Sequence, residues 1–112
     1  MLDDWFRPAE KISGIERRSA EQAEVDRLCQ QLTLYHYESC MFCNRVKRAM
    51  RALKLNIELR DIQTSAENRA ALIEGGGKAT VPCLRIAGED GCETWLYESA
   101  DIIGYLRSRF AA

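Results

Sequence analysis

The stretch YHYESCMFCNRVKRAM, residues 35–50, decides the fold. Upstream of the cysteines, LTLYHY (32–37) alternates and is rich in strand formers, so it reads as a β-strand. Downstream, Val46, Ala49, Met50 and Leu53 recur at i, i+3, i+4 and i+7, which predicts a helix from Cys43 to about Leu55. Its opposite face carries Arg45, Lys47, Arg48 and Arg51 and reads as solvated. Cys40 and Cys43 therefore stand three apart at a strand-to-helix junction. A pair in that place is half of a metal site, a packing pair or a redox couple, and the rest of the chain discriminates.

Working outward, SAEQAEVDRLCQQL (19–32) places Val25, Leu28, Cys29 and Leu32 at helical spacing, with Ser19 and Gln22 spaced as a capping box. NIELRDI (56–62) reads as a second strand. TSAENRAALIEGGG follows, with Thr64 and Glu67 as a second capping box and Gly75 to Gly77 as the helix stop. VPCLRIA and CETWLYE are strands joined by the turn Gly88-Glu89-Asp90-Gly91, which makes them a hairpin. Ser99 caps a last helix with Ile102, Ile103, Leu106 and Phe110 on its apolar face. The order is α, then β-α-β-α-β-β-α. Two strands joined through a helix pair in parallel with a right-handed crossover, and the last two are antiparallel. The expected fold is α/β, a four-stranded mixed sheet with helices on both faces and an extra N-terminal helix.

The chain has 112 residues, 46% of them apolar and 29% charged, which suits one globular domain with a core. A formal net charge of -1 gives no field that attracts nucleic acid or anionic lipid, so no nucleic-acid partner is expected. No apolar run approaches the roughly 18 residues that read as a membrane span, and no secretory signal pattern opens the chain. MLDDWFRPAEKISGIERR is polar and broken by Pro8 and Gly14, and it reads as a flexible leader. Its Trp5-Phe6 pair gives the alternative reading of a segment that rests on a membrane surface. Five cysteines, an odd number, argue against a closed disulfide framework and for a reducing compartment, the cytoplasm or a surface facing it.

A zinc site on the cysteine pair needs four ligands, commonly two such pairs or a pair of histidines. His36 is the only histidine, and Cys83 and Cys92 fall on expected strands, so a complete zinc site is not expected. A CxxC between a strand and a helix in a βαβ pattern instead points to a thioredoxin-like redox motif. At a helix start, unpaired N–H groups and the helix dipole favour an anion, which should lower the Cys40 pKa below the free value of about 8.5. Cys40 is then the attacking thiolate. Cys43, one turn inside, is placed to close a disulfide and release a bound partner. Arg45, Lys47 and Arg48 add positive charge nearby, while Glu38, if close, opposes them. Cys29, Cys83 and Cys92 are taken as packing residues.

A further signal is TVPCL (80–84), where Pro82, lacking an N–H, opens a strand. CMFC at the first helix of the sheet domain, TVP before the third strand and YESADI opening the last helix together resemble the glutaredoxin family and the N-terminal domain of glutathione transferases. The resemblance covers about residues 32–110. It implies a thioredoxin fold with Pro82 in a cis peptide facing the cysteines. It implies that Val81 offers its backbone to the cysteinyl part of glutathione like an added strand. It also implies that Glu98 and Ser99 hold the γ-glutamyl end, where a helix N-terminus suits the carboxylate, with Asp101 near the γ-glutamyl amine. On this reading residues 1–31 are a leader and amphipathic helix, and residues 32–112 are a glutaredoxin-like domain.

The resemblance implies a glutathione-dependent thiol–disulfide oxidoreductase. Glutathione is its co-substrate, glutathionylated or disulfide-containing proteins are its partners, and no metal is expected. The sequence departs from the family pattern at Met41 and Phe42, where proline and tyrosine are common, and in YES, where a lysine usually precedes the first cysteine. Arg45 and Arg69 are candidates to replace that lysine. The chain stops two residues after Phe110, without the all-helical second domain that conjugation requires, so conjugation is not expected. Two other readings stay open: a carrier of an iron–sulfur cluster ligated by the first cysteine and glutathione, which bulky Met41 disfavours, and a redox-inactive interaction module.

Overall fold

A computed structural model describes residues 17–110. The elements are α1 (Ser19–Cys29), β1 (Leu32–His36), α2 (Met41–Ala52), β2 (Glu58–Asp61), α3 (Ala66–Gly76), β3 (Cys83–Ala87), β4 (Glu93–Leu96) and α4 (Ser99–Phe110). The strands form one sheet in the order β2-β1-β3-β4. β1 pairs with β2 in parallel and with β3 antiparallel, and β3 and β4 form the expected hairpin. The four-stranded mixed α/β sheet read from the sequence is the observed fold. The leader, with Pro8, Gly14 and the Trp5-Phe6 pair, lies outside the described residues apart from Arg17 and Arg18.

β1 is buried along its whole length, Thr33 and His36 included, and not half-solvated as its alternation suggests. The reason is that helices cover both faces of the sheet. Leu32 and Leu34 point into one core with Cys29 of α1, Val46 of α2, Leu84 of β3, and Ile102 and Leu106 of α4. Tyr35 points the other way, into a smaller core with Ile62, Leu72 of α3 and Cys83. The apolar stripe Val46, Ala49, Met50 and Leu53 is buried as its spacing predicts. α2 ends at Ala52, short of Leu55, because Lys54 takes a left-handed conformation at φ 56°.

α2 begins at Met41, two residues before the expected Cys43, and the other three helix starts differ from the sequence reading by one residue. Arg18 precedes α1, and its N–H donates to the Glu21 carboxylate at 3.1 Å, so Ser19 is already helical. Ser65, not Thr64, caps α3, its hydroxyl accepting from the Asn68 N–H at 3.2 Å. Ser99 is the first residue of α4, whose opening bond runs from the Ile102 N–H to the Glu98 carbonyl at 2.9 Å, which makes Glu98 the preceding cap position.

The three glycines after Glu74 have different physical roles. Gly75 and Gly76 are still helical, and only Gly77, at φ 95°, terminates α3. A Cβ on Gly75 would fall 2.1 Å from the Trp95 ring, and one on Gly76 would fall 2.0 Å from the Tyr97 hydroxyl. The first two glycines therefore let α3 lie close against β4. Gly75→Ala should destabilise the fold by about 1–3 kcal/mol through overpacking, read as a shift in the urea midpoint. An unchanged midpoint would show that Trp95 can move aside at no cost.

Arg17 ties the two helices of the larger core together. Its guanidinium donates to the Leu53 carbonyl and to the Phe110 carbonyl, both at 2.6 Å. These are the C-terminal ends of α2 and α4, where unpaired carbonyls and the dipole favour a cation.

Candidate active site

Sheet register brings the separate sequence signals to one edge. β1 ends at His36 and runs into the turn that carries Cys40. β3 begins at Cys83, which lies opposite Tyr35. Val81 and Pro82 immediately precede Cys83, outside the strand, at the end of the sheet toward which β1 runs. β4 ends at Leu96, opposite Leu84, so Glu98 and Ser99 emerge from the same end of the sheet. The Cys40 turn, the Val81-Pro82 segment and the start of α4 thus share one edge, although up to 60 residues separate them in sequence.

Cys40 is the N-cap of α2, in an extended conformation at φ -78° and ψ 115°. Its Sγ accepts a hydrogen bond from the Cys43 backbone N–H at 3.2 Å. An otherwise unpaired amide of the first helical turn is thereby aimed at the sulfur. Cys40 is 7% exposed and Cys43 fully buried. Burial, followed by the hydrogen bond shared with Cys40, pushes the Cys43 thiol well above the ordinary range. The two cysteines are chemically unequal although both are buried: the Cys40 sulfur receives a helix amide, and Cys43 is the deeper thiol that keeps its proton. All five cysteines are free thiols.

Between them, Met41 and Phe42 are 69% and 52% exposed, and the Arg45 guanidinium lies 5.4 Å from the Phe42 ring centroid. Glu38 is turned toward Lys47, whose Nζ lies 3.8 Å from the carboxylate. Lys47 is not part of the solvated face assigned to it from the sequence: its side chain is only 12% exposed and packs beside the cysteine turn. Arg69 is exposed on α3.

The Val81–Pro82 peptide is cis and Pro82 is buried, with Val81 half-buried beside it. Glu98 and Asp101 are exposed, and Ser99 is half-buried in the first turn of α4. Cys29 and Cys83 are packing residues as expected, at 1% and 0% exposure. Cys92 is not. It is exposed in the turn between β3 and β4, because the register pairs Ala87 with Glu93 and leaves Cys92 before the strand. There its N–H donates to the Asp90 carboxylate at 3.0 Å.

Burial pushes the Cys83 thiol up to about 11, from an ordinary 9.0. Below pH 9 both folded and unfolded chains keep this proton. Between pH 9 and 11 only the unfolded chain releases it, so stability falls as pH rises through that window. Two units at 1.36 kcal/mol each correspond to a loss of up to about 2–3 kcal/mol. Urea unfolding at pH 8 and pH 11 should show a smaller loss in Cys83→Ala than in the wild type. Equal losses in the two proteins would contradict the assignment.

Comparison with known proteins bears on the same residues. The family profile described as glutathione S-transferase, N-terminal domain, matches residues 34–112. Among solved structures, maleylacetoacetate isomerase from Anaeromyxobacter dehalogenans 2CP-1, with bound dicarboxyethyl glutathione and citrate in its active site, is 26% identical. It superposes with a TM-score of 0.56 over 72% of this chain and 37% of its own. Glutathione Transferase E6 from Drosophila melanogaster is 31% identical, with a TM-score of 0.54 over 70% of this chain and 34% of its own. Glutathione transferase Omega 2C from Trametes versicolor, at 22% identity and a TM-score of 0.59, shares the fold. The chain spans little more than a third of the length of these structures. No curated protein sequence matches it. The matched segment runs from β1 through α4 and holds the cysteine turn, the cis-proline segment and the start of the last helix, and on that match the chain belongs to the glutathione S-transferase N-terminal domain family, with its thioredoxin-like fold.

Proposed function

We propose that the chain is a glutathione-dependent thiol–disulfide oxidoreductase of glutaredoxin type, with Cys40 as nucleophile and Cys43 as resolving thiol. The observation that carries this reading is the Cys43 N–H aimed at the Cys40 sulfur at the start of α2, with Cys43 itself buried and held protonated. A helix N-terminus offers the developing thiolate partial positive charge and a hydrogen-bond donor, while the second sulfur is kept out of the first attack. Glutathione is the co-substrate, a reading supported by the isomerase's relatedness and its bound glutathione derivative, dicarboxyethyl glutathione. The cysteinyl backbone of glutathione lies along Val81 beside Pro82, and Glu98 and Ser99 hold its γ-glutamyl end, the carboxylate at the N-terminus of α4, with Asp101 toward the amine. Protein substrates carry glutathione mixed disulfides or protein disulfides, and a reducing compartment such as the cytoplasm suits five free cysteines.

The chemistry balances without a further reductant. The Cys40 thiolate attacks the glutathione sulfur of a mixed disulfide, the S–S bond breaks, and the protein thiolate leaves and takes up a proton. A second glutathione thiolate then attacks the sulfur of the glutathione held on Cys40. Oxidised glutathione departs and the Cys40 thiolate returns. Cys43→Ser treated with oxidised glutathione should accumulate a single adduct, which peptide mapping places on Cys40. An adduct on Cys92 with Cys40 left free would overturn the assignment.

A further inference from the structure

The one histidine of the chain is buried beside the cysteine turn and is not used by the chemistry above. His36 is 3% exposed, and its Nδ1 has no hydrogen-bond partner. A buried polar nitrogen without a partner costs about 1–3 kcal/mol, so its surroundings call for an explanation. The parallel register sets His36 opposite Asp61 on β2. Glu38 lies two residues further along the chain from His36. The result is a cluster in which one imidazole nitrogen and one oxygen from each of the two carboxylates all lie within 4.8 Å of one another.

The spacing is informative in two ways. No hydrogen bond or ion pair joins His36 to either carboxylate among the described residues, so the three groups face one another without contact. The two carboxylates repel at this distance. The cation recorded against them is Lys47, 3.8 Å from Glu38, one positive charge for two negative ones. We propose that His36, Glu38 and Asp61 form a binding site for a divalent transition-metal cation of the zinc type, at the end of β1 and next to the redox turn.

The donor set fits that chemistry. One imidazole nitrogen and two carboxylate oxygens are borderline ligands that zinc takes at about 2.0–2.2 Å, leaving a fourth position for water. Burial, and then the Lys47 charge, hold the His36 pKa below its usual value, which keeps the imidazole neutral with a lone pair to give. Backbone N–H bonds from Thr64 and Gln63 fix Asp61 and hold its carboxyl below the usual range. Both bonds land on the same oxygen, Oδ1, at 3.0 and 2.7 Å. The other oxygen remains for an ion. Glu38 is exposed and swings from Lys47 to the ion. The site does not draw on the cysteine pair and stands whether or not the redox reading does.

Because thiolates are competing zinc ligands, the test uses the full chain carrying Cys40→Ser and Cys43→Ser. Zn2+ is titrated while the imidazole NMR signals are followed, a clean reporter since His36 is the only histidine. The expected result is a saturable shift complete near one equivalent. Glu38→Gln and Asp61→Asn, which keep the shape and the Asp61 turn bonds, should each weaken it at least about tenfold. His36 signals that stay in place at millimolar Zn2+ would overturn the site. So would a shift of undiminished affinity in both carboxylate variants, which would place the ion elsewhere.

Discussion

Cys40→Ser should lower the turnover of a glutathionylated peptide by about a thousandfold or more, while Cys43→Ser should stay within about tenfold of the wild type. The asymmetry follows from where the two sulfurs sit. Cys40 occupies the cap position, with 7% of its surface exposed and the Cys43 N–H 3.2 Å from its sulfur. A serine there keeps the size and can still accept that bond, but an alkoxide is not formed at neutral pH. Cys43 lies wholly inside, with its thiol pushed above the ordinary range by burial. On the proposed mechanism it takes part only when a partner protein is held on Cys40 as a mixed disulfide and must be displaced, a step glutathione performs for glutathionylated substrates. With a protein disulfide as substrate, both variants should therefore fail. Equal losses in the two variants on the glutathionylated peptide would contradict the division of roles. Full activity of Cys40→Ser would remove the cysteine pair from the chemistry altogether.

Leu84→Ala should cost about 2–5 kcal/mol and lower the melting temperature by about 10 °C or more. Leu84 is fully buried in β3, an interior strand of the sheet, and pairs with Leu34 on one side and Leu96 on the other. Its side chain belongs to the core that holds Val46 of α2 and Ile102 and Leu106 of α4. Removing it leaves a cavity walled by rigid strands and two helices, with little freedom to collapse. Against a total stability of about 5–15 kcal/mol for a domain, that is a large share. Leu59 gives the internal contrast. It lies on the edge strand β2, is 45% exposed, and should tolerate alanine with a change of about 0.5 kcal/mol or less. Comparable losses at the two positions would mean that the core is more plastic than its packing indicates.

The parts legible from the sequence are those set by local period and local spacing. The stripe of α2, the β3–β4 turn and the strand–cysteine–helix junction each lie within a dozen residues, and each is found where its pattern placed it. Helix starts were displaced by one residue at α1, α3 and α4 because neighbouring residues compete for the cap. Ser65 and Thr64 are both competent, and only the backbone path selects one. The alternation of β1 hid its full burial, since Thr33 and His36 read as polar until a helix layer is placed over each face.

The residues proposed to hold glutathione are suggested piecemeal by resemblance, but their arrival at one end of the sheet is a property of register. Tyr35 opposite Cys83 and Leu84 opposite Leu96 deliver three distant segments to one sheet edge. The same holds for contacts without any local signal. Arg17 reaches carbonyls 36 and 93 residues away, and Asp61 meets His36 only because β2 lies parallel to β1. By itself the sequence determined the elements, their order and the place of the cysteine pair at the strand–helix junction, because period and spacing act over a single turn or strand. Only the tertiary structure decided how deeply each thiol lies, which cation is drawn under the cysteine turn and which acidic groups face the histidine. Those depend on burial and on distances between residues remote in the chain, and both arise only when the strands are in register and the helices packed.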